Sequence, residues 1–242
     1  MDVYLAPHSD DICFSLGAFA YRRRAGILLT VFPISGYVAP RAGVPRPPPD
    51  QVTKIRMAED RKFAAACGLQ AWFLKAPCAS AIGHGSFDLG WAEDNARRIE
   101  TPLIQALMGF AAQGDPGTRS WLMCPSGIGS HVDHVALRLV VTRHFDTLSA
   151  RYRLSFYEDL HYASDRQARQ AGLDQLFQTL GDRKLSRQVL PLGDALEVKL
   201  RLLALYPSQF TELPRSIERF TPSVGTDTPP HEALWTTEIP DF

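Results

Sequence analysis

The sequence is short of several features that would assign it to a particular class of protein. Only four of its 242 residues are cysteine, and no two of them have the C-x-x-C spacing of a redox or zinc motif. Cys13, Cys67, Cys78 and Cys124 lie mostly in apolar patterns, which predicts free thiols in a reducing cytoplasm. No apolar run approaches the length of a membrane span, and we expect no signal peptide because a strand begins at once.

The chain also lacks an excess of charge of either sign. Lys and Arg number 26 together, as do Asp and Glu, so the formal net charge is zero. Such a chain has no general attraction to nucleic acid or to an anionic membrane. The apolar fraction of 45% is typical of a soluble globular protein. We therefore expect no nucleic-acid partner, while the sequence leaves open whether the chain forms a homo-oligomer.

Strand and helix patterns alternate along the chain. Short apolar runs predict strands at about 3–6, 27–32, 71–74, 121–124, 154–157 and 188–190. Helical spacing of apolar residues predicts helices at about 12–24, 51–67, 92–113, 132–148, 165–180 and 194–206. The alternation predicts one α/β domain over residues 1–242, a Rossmann-like three-layer sandwich with a mostly parallel sheet. The C-terminal part is expected to be more helical and to end in an extended tail at about 221–242.

A stretch rich in proline and glycine separates the second strand from the helix that follows it. Residues 36–50 cannot form a helix or a central strand. We interpret them as a loop beside the ligand-binding edge of the sheet, with a plain surface linker as the alternative. Asp50 is predicted to cap the next helix.

Two clusters of histidine and carboxylate residues follow predicted strands. Residues 6–11 (A-P-H-S-D-D) follow the first strand, and residues 130–134 (S-H-V-D-H) follow a glycine-containing loop after a later one. The carboxyl ends of parallel strands share one edge of the sheet, where such folds bind ligands. A hydrolytic metal site uses three protein ligands and leaves one position open for water. The candidate ligands are His8, one of Asp10 and Asp11, and one of His131 and His134.

The remaining side chains of the clusters suit the other roles of a metal-assisted hydrolysis. The second carboxylate of the pair suits a general base, and the second histidine suits an acid or an oxyanion donor. Asp133 could orient one of the histidines through its ring N–H. Zn²⁺ fits such ligands, and the spacing does not exclude Fe²⁺, Mn²⁺ or Co²⁺. Simple helix capping is the alternative for either cluster alone, and the spacing does not say which Asp is the ligand.

These same residues resemble a known family. A-P-H-S-D-D-I is similar to the His-Pro-Asp-Asp-Glu motif of the PIG-L/LmbE-like zinc-dependent N-acetylglucosaminyl (amino-sugar) deacetylases, and G-I-G-S-H-V-D-H is similar to their His-x-Asp-His motif. Two weaker blocks agree in order. R-M-A-E-D-R-K resembles the family's Arg-x-x-Glu helix, and K-L-R-L-L-A-L-Y-P-S-Q resembles its C-terminal Lys…Tyr-x-Ser-Gln segment. The resemblance covers residues 1 to about 212.

The resemblance implies a role for each residue of the two motifs. The implied zinc ligands are His8, Asp11 and His134. Asp10 would be the general base, and His131 would be the acid or oxyanion stabiliser, steadied by Asp133. The implied reaction is hydrolysis of an N-acetyl group on an amino-sugar such as N-acetylglucosamine. Ser9 and Ile12 stand where the family has Pro and Glu, and the Asp that the family often has after the third strand has no counterpart before Asp88.

That missing Asp leaves the sugar-binding mode, and so the substrate, open. The candidates for contact with substrate are Arg56, Glu158, Asp159, Tyr162 and Gln209. For Arg56 the alternative is a surface ion pair with Glu59 or Asp60 at helical spacing. A loop cap, a packing tyrosine and a helix-end hydrogen bond are the corresponding alternatives for the others.

Other functions remain in competition with a sugar deacetylase. One is a metal-dependent amidase acting on a different amide, such as an antibiotic intermediate or a thiol conjugate. Another is a catalytically silent carbohydrate-binding protein, although a binder has no use for a general base. A nucleotide-binding site is not supported, because there is no G-x-G-x-x-G and no Lys-Ser/Thr follows Gly127 and Gly129. Those two glycines are expected to let the backbone approach the site.

Overall fold

The structure is a computed structural model and describes residues 1–115, 117–210 and 229–238. Within these residues, seven strands form one sheet. In chain order they are β1 (Val3–Ala6), β2 (Ile27–Thr30), β3 (Gln70–Phe73), β4 (Ser120–Pro125), β5 (Tyr152–Tyr157), β6 (Ser186–Pro191) and β7 (His231–Thr236).

The helices lie between these strands. They are α1 (Asp11–Arg23), α2 (Pro49–Ala66), α3 (Ala92–Ala112), α4 (Val132–Arg143), α5 (Phe145–Ser149), α6 (Leu160–Ala163), α7 (Arg166–Leu180) and α8 (Ala195–Leu203). Two 3₁₀ turns, Ala79–Ile82 and Leu89–Trp91, precede α3. None of the helices in the described ranges is both long and apolar enough to cross a bilayer.

Side chains of β1 alternate between two apolar layers, one on each face of the sheet. Val3 and Leu5 pack into a core that contains residues of α3, α4 and α7. Tyr4 and Ala6 pack into a second core that contains residues of α1, α2 and α8. This alternation is the period of two that a pleated strand imposes. The predicted three-layer α/β sandwich is confirmed.

The strand order is β3-β2-β1-β4-β5-β7-β6, and the first five strands are parallel. Strands β1 and β4 are neighbours in the sheet. From β1 the chain passes to β2 on one side, and from β4 it passes to β5 on the other side. Loops that leave β1 and β4 therefore diverge and open a crevice between them, at the switch point where such sheets bind ligands.

Three local predictions were wrong. The helix predicted at 132–148 is two helices, because His144 leaves the helical conformation at ψ 20° and ends α4. Asp50 does not cap α2, which starts one residue earlier at Pro49, where a missing N–H costs nothing. Part of the predicted tail is β7, a strand inside the sheet that is antiparallel to both β5 and β6. Residues 221–228 and 239–242 of that tail lie outside the described ranges.

A buried ion pair joins β7 to two helices. Helix α1 is kinked at Leu16 (φ −136°), just before two N–H groups that donate to a side chain of β7. The carboxylate of Glu232 accepts from the N–H groups of Ala18 (2.9 Å) and Phe19 (2.8 Å). Lys199 of α8 donates to the same carboxylate at 2.7 Å. Strand β7 therefore completes the packing around α1.

Candidate metal centre

The two His/Asp clusters meet in the crevice between β1 and β4. Nitrogen atoms of His8, His131 and His134 lie within 4.8 Å of one another, an arrangement that can hold a metal ion. Asp11 adds an oxygen to this group. Its Oδ2 atom lies 3.4 Å from Nδ1 of His8 and 3.4 Å from Nε2 of His134. The structure thus brings together the cluster residues that the sequence predicted to be neighbours.

Carboxylates hold the outward-facing nitrogens of two of these histidines. Nε2 of His8 lies 2.8 Å from Asp133 Oδ2, and Nδ1 of His134 lies 2.7 Å from Asp159 Oδ1. A histidine that ligates a metal typically donates its other ring N–H in this way, which fixes the tautomer and the ring orientation. The two ring nitrogens left over, Nδ1 of His8 and Nε2 of His134, therefore face Asp11. Two nitrogens and one carboxylate oxygen fit zinc and related divalent metals.

Asp133 has a different partner from the one that the family resemblance implies. Its carboxylate contacts His8 and accepts from the N–H of Ala79 (3.0 Å) and from Nδ2 of Asn95 (3.0 Å). His131 is instead the N-cap of α4, and its Nδ1 accepts from the backbone N–H of Asp133 at 3.3 Å. The hydrogen bonds of the Asp133 carboxylate thus go to His8, Ala79 and Asn95, and its steadying of His131 remains a prediction.

His131 is a neutral hydrogen-bond donor in this arrangement. Burial, followed by the charges of His8 and His134, lowers the pKa of His131 to about 2. Because Nδ1 accepts a hydrogen bond, the proton of the neutral ring is assigned to Nε2. His131 lines the cavity, to which Nε2 thus offers an N–H. A nitrogen that carries a proton has no free lone pair for a metal, so this tautomer favours the predicted donor role of His131 over a ligand role.

Asp10 occupies the N-cap position of α1 but makes no side-chain capping bond. Its backbone is strained, at φ 103°, which directs the carboxylate into the crevice. There Oδ1 lies 3.3 Å from Nη2 of Arg56. The Gln209 amide, oriented so that both its ends have partners, donates to Asp10 Oδ2 (3.2 Å) and accepts from Arg56 Nε (3.3 Å). Burial raises the pKa of Asp10 to about 8 although Arg56 opposes it. Simple helix capping does not explain this residue.

The His8 ring carries a proton at a position where a metal cation would bind. Burial opposes protonation of His8, but its hydrogen bonds with Asp11 and Asp133 raise the pKa of His8 to about 10. Burial opposes ionisation of Asp11, but His134 and His8 outweigh it and lower the pKa of Asp11. A metal ion would take the place of the proton on His8, so binding should release protons and strengthen as the pH rises.

Arg56 is not the surface residue that one interpretation suggested. Only 5% of it is exposed, and it donates to the carbonyl of Ser9 (2.6 Å) and the hydroxyl of Ser35 (3.2 Å). Glu59 and Asp60 bond elsewhere, to Ser208 and to Thr30 and Tyr206, respectively. The surface ion pair is excluded. Arg56 lines the cavity and positions Asp10, and its contact with substrate remains a prediction.

Glu158 and Asp159, predicted to touch sugar, instead serve the protein itself. Glu158 is fully buried and pairs with Nη2 of Arg169 (2.6 Å) and Nε of Arg187 (2.7 Å). Asp159 lies behind His134 and accepts from the loop after β4, through Ser126 Oγ and the N–H groups of Gly127 and Ile128, each at 2.9 Å. Neither residue lines the cavity. Their burial and internal partners do not favour a contact with sugar, and the predicted contacts remain untested.

The cavity above the centre has a volume of about 720 Å³. Three predicted substrate residues, Arg56, Tyr162 and Gln209, line it. Tyr37 of the 36–50 loop lines it as well, as that loop's predicted place beside the ligand-binding edge implies, and so do Ser80 and Phe87, which no sequence pattern singled out. Gly129 has φ +86°, and a Cβ built there would lie 2.1 Å from the Tyr162 ring, so only glycine lets the loop pass. Asp88 is exposed, accepts from the N–H of Gly90 and does not line the cavity.

No family model matches the chain, and no curated protein matches it in sequence. Solved structures match it in fold. A deacetylase of teicoplanin biosynthesis, in complex with teicoplanin, has a TM-score of 0.69 at 16% identity over 97% of this chain and 96% of that one. The A40926 pseudoaglycone deacetylase has a TM-score of 0.65 at 18% identity, over 97% and 95%.

This chain has the fold of these deacetylases. The N,N'-diacetylchitobiose deacetylase of Pyrococcus horikoshii is similar at a greater distance, with a TM-score of 0.53 at 12% identity over 96% of this chain and 81% of that one. At such identities the likeness establishes the architecture. The chemistry of this chain is argued from its own residues.

Proposed function

We propose that this protein is a zinc-dependent N-deacetylase that removes the acetyl group of an N-acetylated amino-sugar or sugar-containing metabolite. The observation that carries this proposal is the convergence of Asp11 with His8 and His134, whose outward nitrogens are held by Asp133 and Asp159. The names of the proteins that share the fold support the same chemistry, since they are deacetylases of teicoplanin, of a pseudoaglycone and of diacetylchitobiose.

His8, Asp11 and His134 would hold the metal. Zinc, when bound, lowers the pKa of a water ligand and polarises an amide carbonyl. Fe²⁺, Mn²⁺ and Co²⁺ suit the same donors, and zinc is proposed because it tolerates this nitrogen and oxygen set with an open position.

Asp10 and His131 would move and hold the protons of the reaction. Asp10, fixed by Arg56 and Gln209, takes a proton from the attacking water as the oxygen bonds to the amide carbon. His131 donates its Nε2 proton in a hydrogen bond to the oxyanion that develops on the carbonyl oxygen. The proton on Asp10 then passes to the nitrogen as the C–N bond breaks. The products are acetate and the free amine.

A different amide is the second candidate substrate. The observation that favours it is the exposed position of Asp88, which leaves the cavity without a counterpart of the family's sugar-binding Asp. The same catalytic residues would hydrolyse such an amide. A silent sugar-binding protein is less consistent with the site, because binding alone requires neither the strained Asp10 nor three convergent donors. The four free, buried cysteines support a proposed cytoplasmic location.

A deacetylation screen tests the proposal. Zinc-reconstituted protein is assayed for acetate or free amine with N-acetylated mono- and disaccharides, nucleotide sugars and aminoglycosides. We expect turnover of at least one class. Asp10→Ala should keep stoichiometric zinc and lose turnover by about 10²- to 10⁴-fold, because only the proton acceptor is removed.

Two outcomes count against the proposal in different ways. Wild-type protein that takes up no stoichiometric zinc would remove the metal-site assignment. Protein that binds zinc but hydrolyses none of these sugars would move the assignment to another amide.

A further inference from the structure

A second cavity adjoins the metal cavity. It has a volume of about 620 Å³ and lies between the proline-rich loop, helix α2 and residues 207–208. Tyr37, Arg46 and Pro47 line both cavities. These three residues form the boundary between the two cavities, so a molecule held at the metal centre lies next to the second cavity. Its volume is in the range that small-molecule sites have.

Apart from Arg46, which also lines the metal cavity, the charged side chains on the wall of this second cavity already have partners inside the protein. Both carboxylate oxygens of Glu59 accept from Ser208, one from the N–H (2.8 Å) and one from the hydroxyl (2.5 Å). Arg41 donates from Nη2 to the carbonyl of Pro207 at 2.7 Å. A polar ligand would find few unmet donors or acceptors here and would lose its own hydration. The wall is suited to an apolar ligand.

The rest of the wall is apolar and is held in place before any ligand arrives. Its apolar side chains include Val38, Val44, Pro45 and Ile55. The loop is fixed by a hydrogen bond from the N–H of Ala39 to the carbonyl of Ser208 (2.8 Å), and its prolines restrict φ. A preformed wall loses little conformational entropy when it binds a ligand.

Two apolar side chains of this wall are unusually exposed. Val44 is 60% exposed and Tyr37 is 49% exposed. Exposed apolar groups that line one cavity are suited to a surface that a ligand covers.

From these observations we infer that the second cavity binds an apolar substituent of the substrate, a hydrocarbon or aromatic group joined to the N-acylated sugar. The inference rests on the proposed function and narrows it to amphiphilic substrates. The apolar group has two chemical sources, an aglycone on the sugar or a longer acyl chain on the amide nitrogen. Both present the same chemistry to the cavity.

The two sources are separated by two substrate series. One compares the methyl, hexyl and phenyl glycosides of N-acetylglucosamine, and the other compares N-acetyl- with N-hexanoylglucosamine. Burial of a hexyl or phenyl group should raise kcat/KM by about 10- to 100-fold in one series. Equal kcat/KM within both series would overturn the inference.

Substitution of Val44 tests whether the preference for apolar substrates arises in the second cavity. Val44→Asp adds a charge to that wall without touching the metal centre, and its exposed loop position should spare folding. The apolar preference should fall to below about 3-fold, while kcat/KM for the methyl glycoside stays within about 2-fold of wild type. Val189→Asp is the matched control, since Val189 is 43% exposed on β6 and lines neither cavity. A preference that survives Val44→Asp would contradict the location.

Binding is measured separately from turnover. Calorimetry on the zinc-loaded protein compares hexyl and methyl N-acetylglucosaminides, and the hexyl compound should bind at least about 10-fold more tightly in wild type but not in Val44→Asp. If the hexyl compound binds in this way without being hydrolysed, the proposed deacetylation fails and the cavity assignment stands. If the sugars are hydrolysed without any apolar preference in binding or rate, the cavity assignment fails and the proposed deacetylation stands.

Discussion

Two neighbouring carboxylates in the first cluster are used differently, and backbone geometry is the reason. Asp11 Oδ2 accepts from the N–H of His8 at 2.7 Å, which folds it back toward the histidines. Asp10, with its positive φ, directs its carboxylate to Arg56 instead. The spacing alone left open which Asp is the ligand, and the family resemblance supplied an assignment. The geometry supports that assignment, which remains a proposal.

Asn95 supports the metal centre indirectly, through its contact with Asp133. It is 1% exposed, donates to Asp133 Oδ1 at 3.0 Å and contacts Nδ1 of His84 at 3.0 Å. Asp133 in turn holds His8. Asn95→Leu should therefore weaken zinc affinity by about 10- to 100-fold, measured by competition with a chelator, because the carboxylate that orients a ligand loses its donor.

A matched control separates this effect from a general loss of stability. Ser155→Ala also removes a buried hydrogen bond, to the carbonyl of Leu122, at a place that lines neither cavity. It should leave zinc affinity unchanged. Wild-type affinity in Asn95→Leu would contradict the positioning role.

At the scale of elements, the two carboxylates at the end of β5 have different roles. One positions the loop beside the metal centre, and the other stabilises the packing of the C-terminal elements. Asp159 joins the loop after β4 to His134, whereas Glu158 joins β5 to α7, β6 and β7 through Arg169, Arg187 and Trp235. The loop therefore depends on Asp159 for its position. The C-terminal elements depend on Glu158.

Glu158→Gln should destabilise the protein without changing zinc affinity. It leaves two arginines, with side chains 13% and 21% exposed, without their common anion. The expected loss is about 3 kcal/mol, which corresponds to a fall in Tm of roughly 6–12 °C by calorimetry. Asp146→Asn is the control, because Asp146 pairs with Arg183 at a side-chain exposure of 85% and should cost less than about 1 kcal/mol. Equal effects of the two substitutions would contradict this account.

The contribution of Glu158 also has a defined pH dependence. Burial opposes ionisation, but hydrogen bonds from Arg169 and Arg187 outweigh it and lower the pKa of Glu158 from 4.5 to about 2. Its stabilisation is therefore complete above the ordinary pKa and is lost as the pH falls from about 4.5 through 2. Denaturation curves of wild type and Glu158→Gln should converge over that range. A difference in stability between wild type and Glu158→Gln that stays constant down to the lower pH would contradict this pH dependence.

For the whole molecule, the strand order is what assembles the metal centre. The clusters come from loops after β1 and β4, which are neighbours in the sheet although more than a hundred residues separate them in the chain. The unfolded chain does not bring them together. Metal binding must therefore favour the folded state.

Zinc should raise the melting temperature of the wild-type protein. At free zinc about 100-fold above the dissociation constant, the stabilisation is about 2.7 kcal/mol, or roughly 5–10 °C in Tm. A chelator should reverse the shift. Asp11→Ala should abolish it because a ligand is lost, and Asp10→Ala should keep it. A full shift in Asp11→Ala would show that Asp11 is not a ligand.

The sequence by itself determined the alternation of strands and helices, and with it the layered α/β fold. It also determined which residues gather at the metal centre, because His8 and Asp11 come directly after one strand, and His131 and His134 come after a short loop at the end of another. The ends of these two strands share one edge of the sheet. These are local properties, set by apolar periodicity and by position relative to a strand end. Local pattern is sufficient for them.

Only the tertiary structure decided the partner of each polar side chain. It placed Asp133 on His8, Asp159 on His134, Arg56 on Asp10 and Glu158 between two arginines, and it made β7 an internal strand. Each of these contacts joins residues that are distant in the chain, through atoms only a few ångströms apart. A hydrogen bond depends on distance and angle in space, which the local pattern of residues does not encode.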